Sequence, residues 1–432
     1  MAIISCCAVA ASAHAASEVE PRTPQDWLRA AVTHLCVNGP VDGALAQHRL
    51  AGAWLLKDER ALPRGQQQSA PIDPETAARI DQWFLLPGGH ELRARRSQPA
   101  GRLRRFSVEF HRLQNGALQP ELSALADGGC VVRSARRIIS ASDTPQRTLV
   151  HLDGDLATER WRETLQAAWP AGRDPGGVRV GLIDSGLAYD LPMFASRLAR
   201  DANGVPLGYD FWDLDAWPYD GDMARGAFLP IRHGTPVASV LVREAPGAAL
   251  IPLRYPRPDM SRLADAINRA AAVGARIVAM PLGSRRRSDW EAFNTALEAR
   301  PDVLAIVSAG NDGRDIDIEP VWPAALPLDN MLVVTSADAF GRLARGSNWG
   351  AASVDIMLPA ENIEVTDFRG AQGKASGSSY AVPRLAALAA RLLTAEPALT
   401  TPELIQRIFE RTAPPADKGV VAAGWLPDPA AD

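Results

Sequence analysis

The sequence predicts an α/β protein, a doubly wound parallel sheet preceded by a smaller α+β N-terminal domain, on three observations. Past residue 154, short and mostly apolar runs at 178–183, 250–254, 275–280, 303–307 and 331–335 alternate with segments of helical periodicity at 262–273 and 290–299. Strands covered by helices on both faces read as such continuous runs. Between residues 85 and 154 apolar and polar residues alternate instead, broken by Gly and Pro, as in antiparallel strands with one face in water. Finally, 432 residues with 47% hydrophobic and 22% charged side chains exceed what one ordinary core accommodates.

In chain order, residues 1–16 come first, with an apolar small-residue run closed by Ala13-His14-Ala15 that resembles a signal-peptidase site, although no Lys or Arg precedes Arg22. A secreted or periplasmic protein is expected, and no later stretch is long enough to span a bilayer, so no stable membrane insertion is expected. Residues 17–84 are expected to be mainly helical, with helices over 24–56 and 73–84 behind the start signals Pro24-Gln25-Asp26 and Asp73-Pro74-Glu75. Residues 85–154 are expected to form an antiparallel meander with strands at 92–96, 103–112, 131–140 and 148–152. Its arginines, among them Arg93, Arg95, Arg96, Arg133 and Arg137, read as a solvated sheet face. Cys6 and Cys7 would leave with the export segment, and for Cys36 and Cys130 a disulfide and two buried thiols both remain open. With 46 basic against 50 acidic residues, nothing in the charge balance points to nucleic acid.

Residues 155–432 carry the chemistry. Leu182-Ile183-Asp184-Ser185-Gly186, His233-Gly234-Thr235-Pro236-Val237-Ala238 and Gly377-Ser378-Ser379-Tyr380-Ala381-Val382-Pro383 supply a carboxylate, an imidazole and a hydroxyl in that order. A serine hydroxyl is a weak nucleophile until a neutral imidazole takes its proton, and a carboxylate behind the imidazole fixes the tautomer. Asp184 ends an apolar run at a strand's carboxyl end, where open α/β sheets keep their sites. His233 precedes an apolar helical stretch, and Ser379 opens a long Ala/Leu-rich helix over 380–393 with Pro383 expected in its first turn. A fourth segment, ending in Ser308-Ala309-Gly310-Asn311, runs from a strand into a Gly-flanked Asn.

On these residues the chain resembles the subtilase family of serine peptidases, over roughly 155–412. The resemblance implies a subtilisin-like sheet and a peptide hydrolase in which Ser379 attacks, His233 is base and then acid, Asp184 orients His233, and Asn311 stabilises the oxyanion. It further implies that Pro281, Leu282, Gly283 and Ser284 line the extended backbone of a protein or peptide substrate, that Ser308, Ala309 and Gly310 form the facing wall of the first specificity pocket, and that Val321 closes its floor. It marks Trp322-Pro323 as a candidate cis bond. No cofactor is expected. No metal is expected either, since the chain passes from Arg243 to the next strand without the Asn-rich loop that wraps calcium in many relatives. The acidic stretch at 210–222 has Trp217 where a third ligand would stand and is expected to be a solvated loop beside His233. The N-terminal domain is a candidate folding aid or intramolecular inhibitor. A processing peptidase for one partner protein, and a binding scaffold that kept the fold without catalysis, are the alternatives to a broad endopeptidase.

Overall fold

A computed structural model describes residues 22–41, 50, 52–62, 72, 77–141 and 144–431. The expected export segment and the helix start at Asp73 lie outside these residues. The chain divides into two compact units, Met1–Ile139 with Leu149–Arg162, and Ser140–Thr148 with Glu163–Asp432.

The N-terminal unit is built on a sheet whose strands follow chain order: β1 (Trp54–Ala61), β2 (Arg79–Leu85), β3 (Glu91–Ser97), β4 (Arg105–Gln114), β5 (Ala117–Asp127), β6 (Val132–Ser140), β7 (Arg147–Leu152) and β8 (Glu159–Gln166). The pairings from β1 to β6 are antiparallel. Helix α1 (Pro24–Ala31) starts at a capping box between Thr23 and Asp26 and buries Trp27, Leu28 and Ala31 in one cluster with Phe84, Phe106, Phe110 and Leu122.

The helical reading of 24–56 and 73–84 is therefore corrected. Helix continues only through a π-helical turn at Val32–Cys36, and β1 and β2 occupy Trp54–Ala61 and Arg79–Leu85, where helix was expected to run or end. The cause lies in Asp81, buried within β2 and held by Arg95 at 2.6 Å and Arg79 at 3.3 Å. A buried carboxylate needs such partners, and a cross-strand neighbour supplies one: Asp81 and Arg95 are register partners on β2 and β3. Arg96 donates to the carbonyls of Leu35 and Cys36 at 2.6 and 2.8 Å. These arginines are thus bound to buried partners rather than simply solvated. Cys36 and Cys130 form a disulfide that ties the turn after α1 to the connection between β5 and β6.

The second unit contains a parallel sheet with helices on both faces. Its strands are β9 (Arg179–Asp184), β10 (Tyr209–Asp210), β11 (Ala249–Arg254), β12 (Ile277–Met280), β13 (Leu304–Ser308), β14 (Met331–Ala337) and β15 (Ile356–Pro359), with β18 (Gly424–Trp425) at the edge after a hairpin of β16 (Ile363–Thr366) and β17 (Gln372–Ala375). The spatial order is β10-β11-β9-β12-β13-β14-β15-β18, parallel throughout. Successive side chains of a strand face opposite ways, so Leu182 and Ile306 enter one core while Ile183 and Val307 enter the other. Helices α2 (Gly234–Glu244), α5 (Ser378–Ala395) and α6 (Thr401–Phe409) cover the first face; α3 (Leu263–Ala272) and α4 (Glu291–Glu298) cover the second. From β9 the chain adds β11 on one side and then β12 on the other, so the carboxyl ends of β9 and β12 flank a topological switch point.

Helix α5 begins at Ser378, which moves Pro383 from the expected first turn into the second. The lost proline N–H leaves the carbonyl of Ser379, four residues earlier, without its helical partner. Trp322-Pro323 is cis, as is Arg257-Pro258. No helix among the described residues is long and apolar enough to cross a membrane.

Candidate active site

Strand β9 delivers Asp184 to the carboxyl edge of the sheet with only 1% of its surface exposed. A carboxylate so placed must find donors. The Ser185 backbone N–H donates to Oδ1 at 2.6 Å, and His233 Nδ1 lies 2.7 Å from Oδ1 and 2.9 Å from Oδ2. Because an ionised carboxylate only accepts, Nδ1 carries the proton and Nε2 of neutral His233 is left as a base.

His233 stands at the start of α2, whose first amide groups need acceptors. The Ser185 hydroxyl oxygen accepts from the N–H groups of His233 at 3.0 Å and Gly234 at 2.9 Å. Asp220, fully buried, accepts from the Ser185 hydroxyl at 2.6 Å, the His233 N–H at 3.3 Å and the Thr235 N–H at 2.9 Å. Glycine is required at 234, since a β-carbon there falls 1.9 Å from the Gly186 carbonyl oxygen. Burial pulls the His233 imidazole down, but Asp184 with its hydrogen bond, and then Asp220 and Asp222, outweigh it and push the group up to about 9.

Ser379 is the second residue of α5, half-buried, and no described group hydrogen-bonds to its hydroxyl. The neighbouring Tyr380 ring has its centroid 6.4 Å from that of His233. Ser378 is fully buried and donates twice to Asn311 Oδ1, from its N–H at 2.9 Å and its hydroxyl at 3.1 Å. Two donors on one oxygen orient the Asn311 amide, and its Nδ2 has no hydrogen-bond partner among the described residues. Gly377 brings the segment close: at φ 124° it adopts a conformation open to glycine, and a β-carbon would lie 3.0 Å from Asn311 Oδ1.

The expected substrate-binding residues fall around the same edge. Ser308 ends β13, and its hydroxyl lies 3.4 Å from that of Ser378. Pro281, Leu282 and Gly283 follow β12, and Ser284 forms a two-way backbone bridge with Trp322, at 2.8 and 2.9 Å. A β-carbon on Gly283 would come within 3.2 Å of Val321 Cγ1, so the segment after β12 and the buried Val321 adjoin.

Sequence reasoning missed three supports. Ser185 and Asp220 hold His233 by its backbone. Asn348, fully buried, staples the turn at Ala309-Gly310-Asn311: Nδ2 donates to the Ala309 carbonyl at 2.8 Å, and Oδ1 accepts from the N–H groups of Asp312 at 2.9 Å and Arg314 at 3.1 Å. The expectation of a solvated acidic loop is corrected too. Asp210 and Asp220 are buried, and Asp210 and Asp213 share Arg254 Nη1 at 2.7 and 2.8 Å. The loop turns its carboxylates toward a buried guanidinium and a helix start, both of which compensate for lost water. Among the described residues no group of three or more His, Cys, Asp or Glu side chains is placed to hold a metal.

Residues 176–425 match the profile of the subtilase family. A thermophilic serine proteinase of Bacillus sp. (strain AK1) is 29% identical over 245 residues, covering 52% of this chain and 54% of that protein. The halolysin-like extracellular serine protease Nep of Natrialba magadii is 28% identical, over 57% of this chain and 45% of its own length. An extracellular protease of Xanthomonas campestris pv. campestris is 26% identical, over 67% of this chain and 56% of that protein. The chain spans about half the length of the curated relatives it matches. A solved cold-adapted subtilisin-like serine proteinase shares the fold, with a TM-score of 0.50 at 24% identity over 61% of this chain and 93% of that one.

Proposed function

The chain belongs to the subtilase family, and from that premise we propose that it is a serine endopeptidase, exported from the cell, which hydrolyses peptide bonds of protein or peptide substrates through an acyl-enzyme. The observation that carries this is the contact of His233 Nδ1 with both oxygens of buried Asp184, which leaves Nε2 basic on a ring whose centroid lies 6.4 Å from that of Tyr380, the residue after Ser379. Ser379 Oγ attacks the substrate carbonyl carbon while His233 Nε2 takes the hydroxyl proton. Negative charge gathers on the carbonyl oxygen, and the donors for it are the Asn311 Nδ2 and the Ser379 N–H in the first turn of α5. Loss of one such donor costs about 3–4 kcal/mol of transition-state stabilisation. His233 returns the proton to the departing amine, then draws one from the water that cleaves the ester. Export is supported by the relatives named as extracellular proteases.

The experiment is hydrolysis of a peptide library by Ser379→Ala and Ser378→Ala. The first should lose on the order of a million-fold in kcat. The second removes only one of the two donors to Asn311 Oδ1 and should lose far less. Reversed effects would remove Ser379 from its assigned role.

A further inference from the structure

Three consecutive arginines, Arg285-Arg286-Arg287, come directly after the segment Pro281–Ser284 that faces substrate in the proposed function. Like charges side by side repel, so such a run is retained against an electrostatic cost. Arg287 is spent on the Trp322 ring, 5.1 Å from its centroid. Arg285 and Arg286 are 59% and 78% exposed, and together with Arg257 they line a cavity of about 430 Å³ whose walls include Leu282, Gly283 and Ser284.

Each counter-charge near these cations is weak or already engaged. Asp289, the one acidic residue lining the cavity, lies 3.2 Å from Arg286 Nε and also accepts from the Ser284 hydroxyl at 3.3 Å. Asp312 stands 4.0 Å from Arg285, with both side chains largely in solvent. Asp222 is 3.9 Å from Arg257 and accepts the Tyr255 hydroxyl. The lining itself holds three guanidinium groups against one engaged carboxylate, and Asp312 and Asp222, which do not line it, stand at the long distances of 4.0 and 3.9 Å, so the wall that faces the cavity is cationic. Beneath them the lining is apolar, with Met260, Leu282 and the buried Trp290, whose indole N–H is satisfied by Ser284 Oγ at 2.9 Å. A side chain with a methylene stem and an anionic tip matches both features.

We propose that this cavity is a subsite for an acidic substrate side chain, glutamate above all, on the acyl side of the scissile bond. It rests on the peptidase reading of the site. The acyl side follows because Gly283 abuts Val321, the expected floor of the pocket for the residue just before the scissile bond, and the cavity shares that same wall. The subsite makes the enzyme selective for substrates with an acidic residue a few positions before the cleavage point.

The test uses internally quenched peptides with Ala before the scissile bond and Glu, Gln or Lys at each of the second to fifth positions before it, cleaved by the full chain. At one position Glu should exceed Gln by about ten-fold in kcat/KM, with Lys poorer still, and the advantage should shrink as salt rises from about 0.05 to about 0.5 M. In the double variant R285E/R286E the order should reverse to favour Lys. Equal rates for Glu, Gln and Lys at every position in the parent would overturn the subsite while leaving the peptidase reading intact. A Glu preference that persists undiminished in R285E/R286E would overturn its assignment to this cavity. Turnover of none of the peptides would overturn the peptidase reading and the subsite with it.

Discussion

His233 is held from two directions, by Asp184 on its ring and by Asp220 and Ser185 on its backbone; burial lowers the proton affinity of the imidazole, and the Asp184 contact with the charges of Asp220 and Asp222 more than offsets it. In the proposed mechanism only the neutral ring serves as base, so kcat/KM should climb with pH along a limb displaced above the ordinary imidazole value of 6.5, toward about 9. Stability runs the other way. A proton held more tightly in the folded state stabilises it fully below about 6.5, and this contribution fades as pH rises and is gone above about 9. Asp220→Asn should lower kcat by about ten-fold or more, consistent with roughly 1–3 kcal/mol for a disturbed buried hydrogen bond. It should also move the limb downward because a raising charge is gone; a kcat loss with an unmoved limb would leave Asp220 a purely structural residue. Asp184, His233, Ser379 and Asn311 could be singled out as candidates in the sequence because each lies in a short motif at an element boundary. Asp220 was not, since its role depends on a loop folding back under α2, and nothing in its neighbours marks it as buried. Val321 offers a second test at this scale. If Val321, whose stiff β-branched side chain adjoins Gly283, closes the first specificity pocket as the proposed function has it, small residues before the scissile bond should be cleaved roughly ten- to two-hundred-fold better than Phe. Val321→Gly should narrow that ratio; a parent enzyme that already prefers Phe, unchanged in the variant, would place the pocket floor elsewhere.

Strands β9, β11, β12, β13 and β14 were legible because burial on both faces leaves an uninterrupted apolar run of strand length. Of the N-terminal strands, β3, β4, β6 and β7 were legible in their apolar–polar alternation, whereas β1, β2, β5 and β8 were not. In β2 a buried Asp81 and Gln82 interrupt the pattern, and their compensation comes from partners far along the chain, Arg95 for Asp81 and the Val41 backbone for Gln82 at 2.7 Å. In β5 Pro120, a residue that cannot donate to a ladder, disguises a strand; it is accommodated where the register with β4 shifts between Phe110 and His111. The pairing of Cys36 with Cys130 could not be read from two cysteines alone, and it closes a sequence separation of 94 residues. A closure of that length restricts the unfolded chain by about 4–5 kcal/mol in the chain-entropy account. Replacing both cysteines by serine should therefore lower the unfolding midpoint of the N-terminal unit by roughly 10–20 °C, measured calorimetrically on the full chain. An unchanged midpoint would show that α1 and its turn are secured by packing alone.

At the scale of the whole molecule, the parallel order that reverses at β9 and β12 gathers functional groups distant in sequence onto one edge. Asp184 ends β9, the segment Pro281–Ser284 leaves β12, and Ser308 to Asn311 leave β13. Ser379 and His233 sit at the starts of α5 and α2, two helices that pack in one core. Helix starts present unsatisfied N–H groups and favour developing negative charge, which suits the oxyanion of the proposed mechanism. In the proposed function this edge makes Ser379, and no other hydroxyl, a nucleophile. Labelling the full chain with a fluorophosphonate probe, followed by peptide mapping, tests it most directly. A single adduct on Ser379 is expected, lost in His233→Ala and formed faster as pH rises along the His233 limb; an adduct on Ser378 or another serine, or no adduct at all, would remove Ser379 from its proposed role.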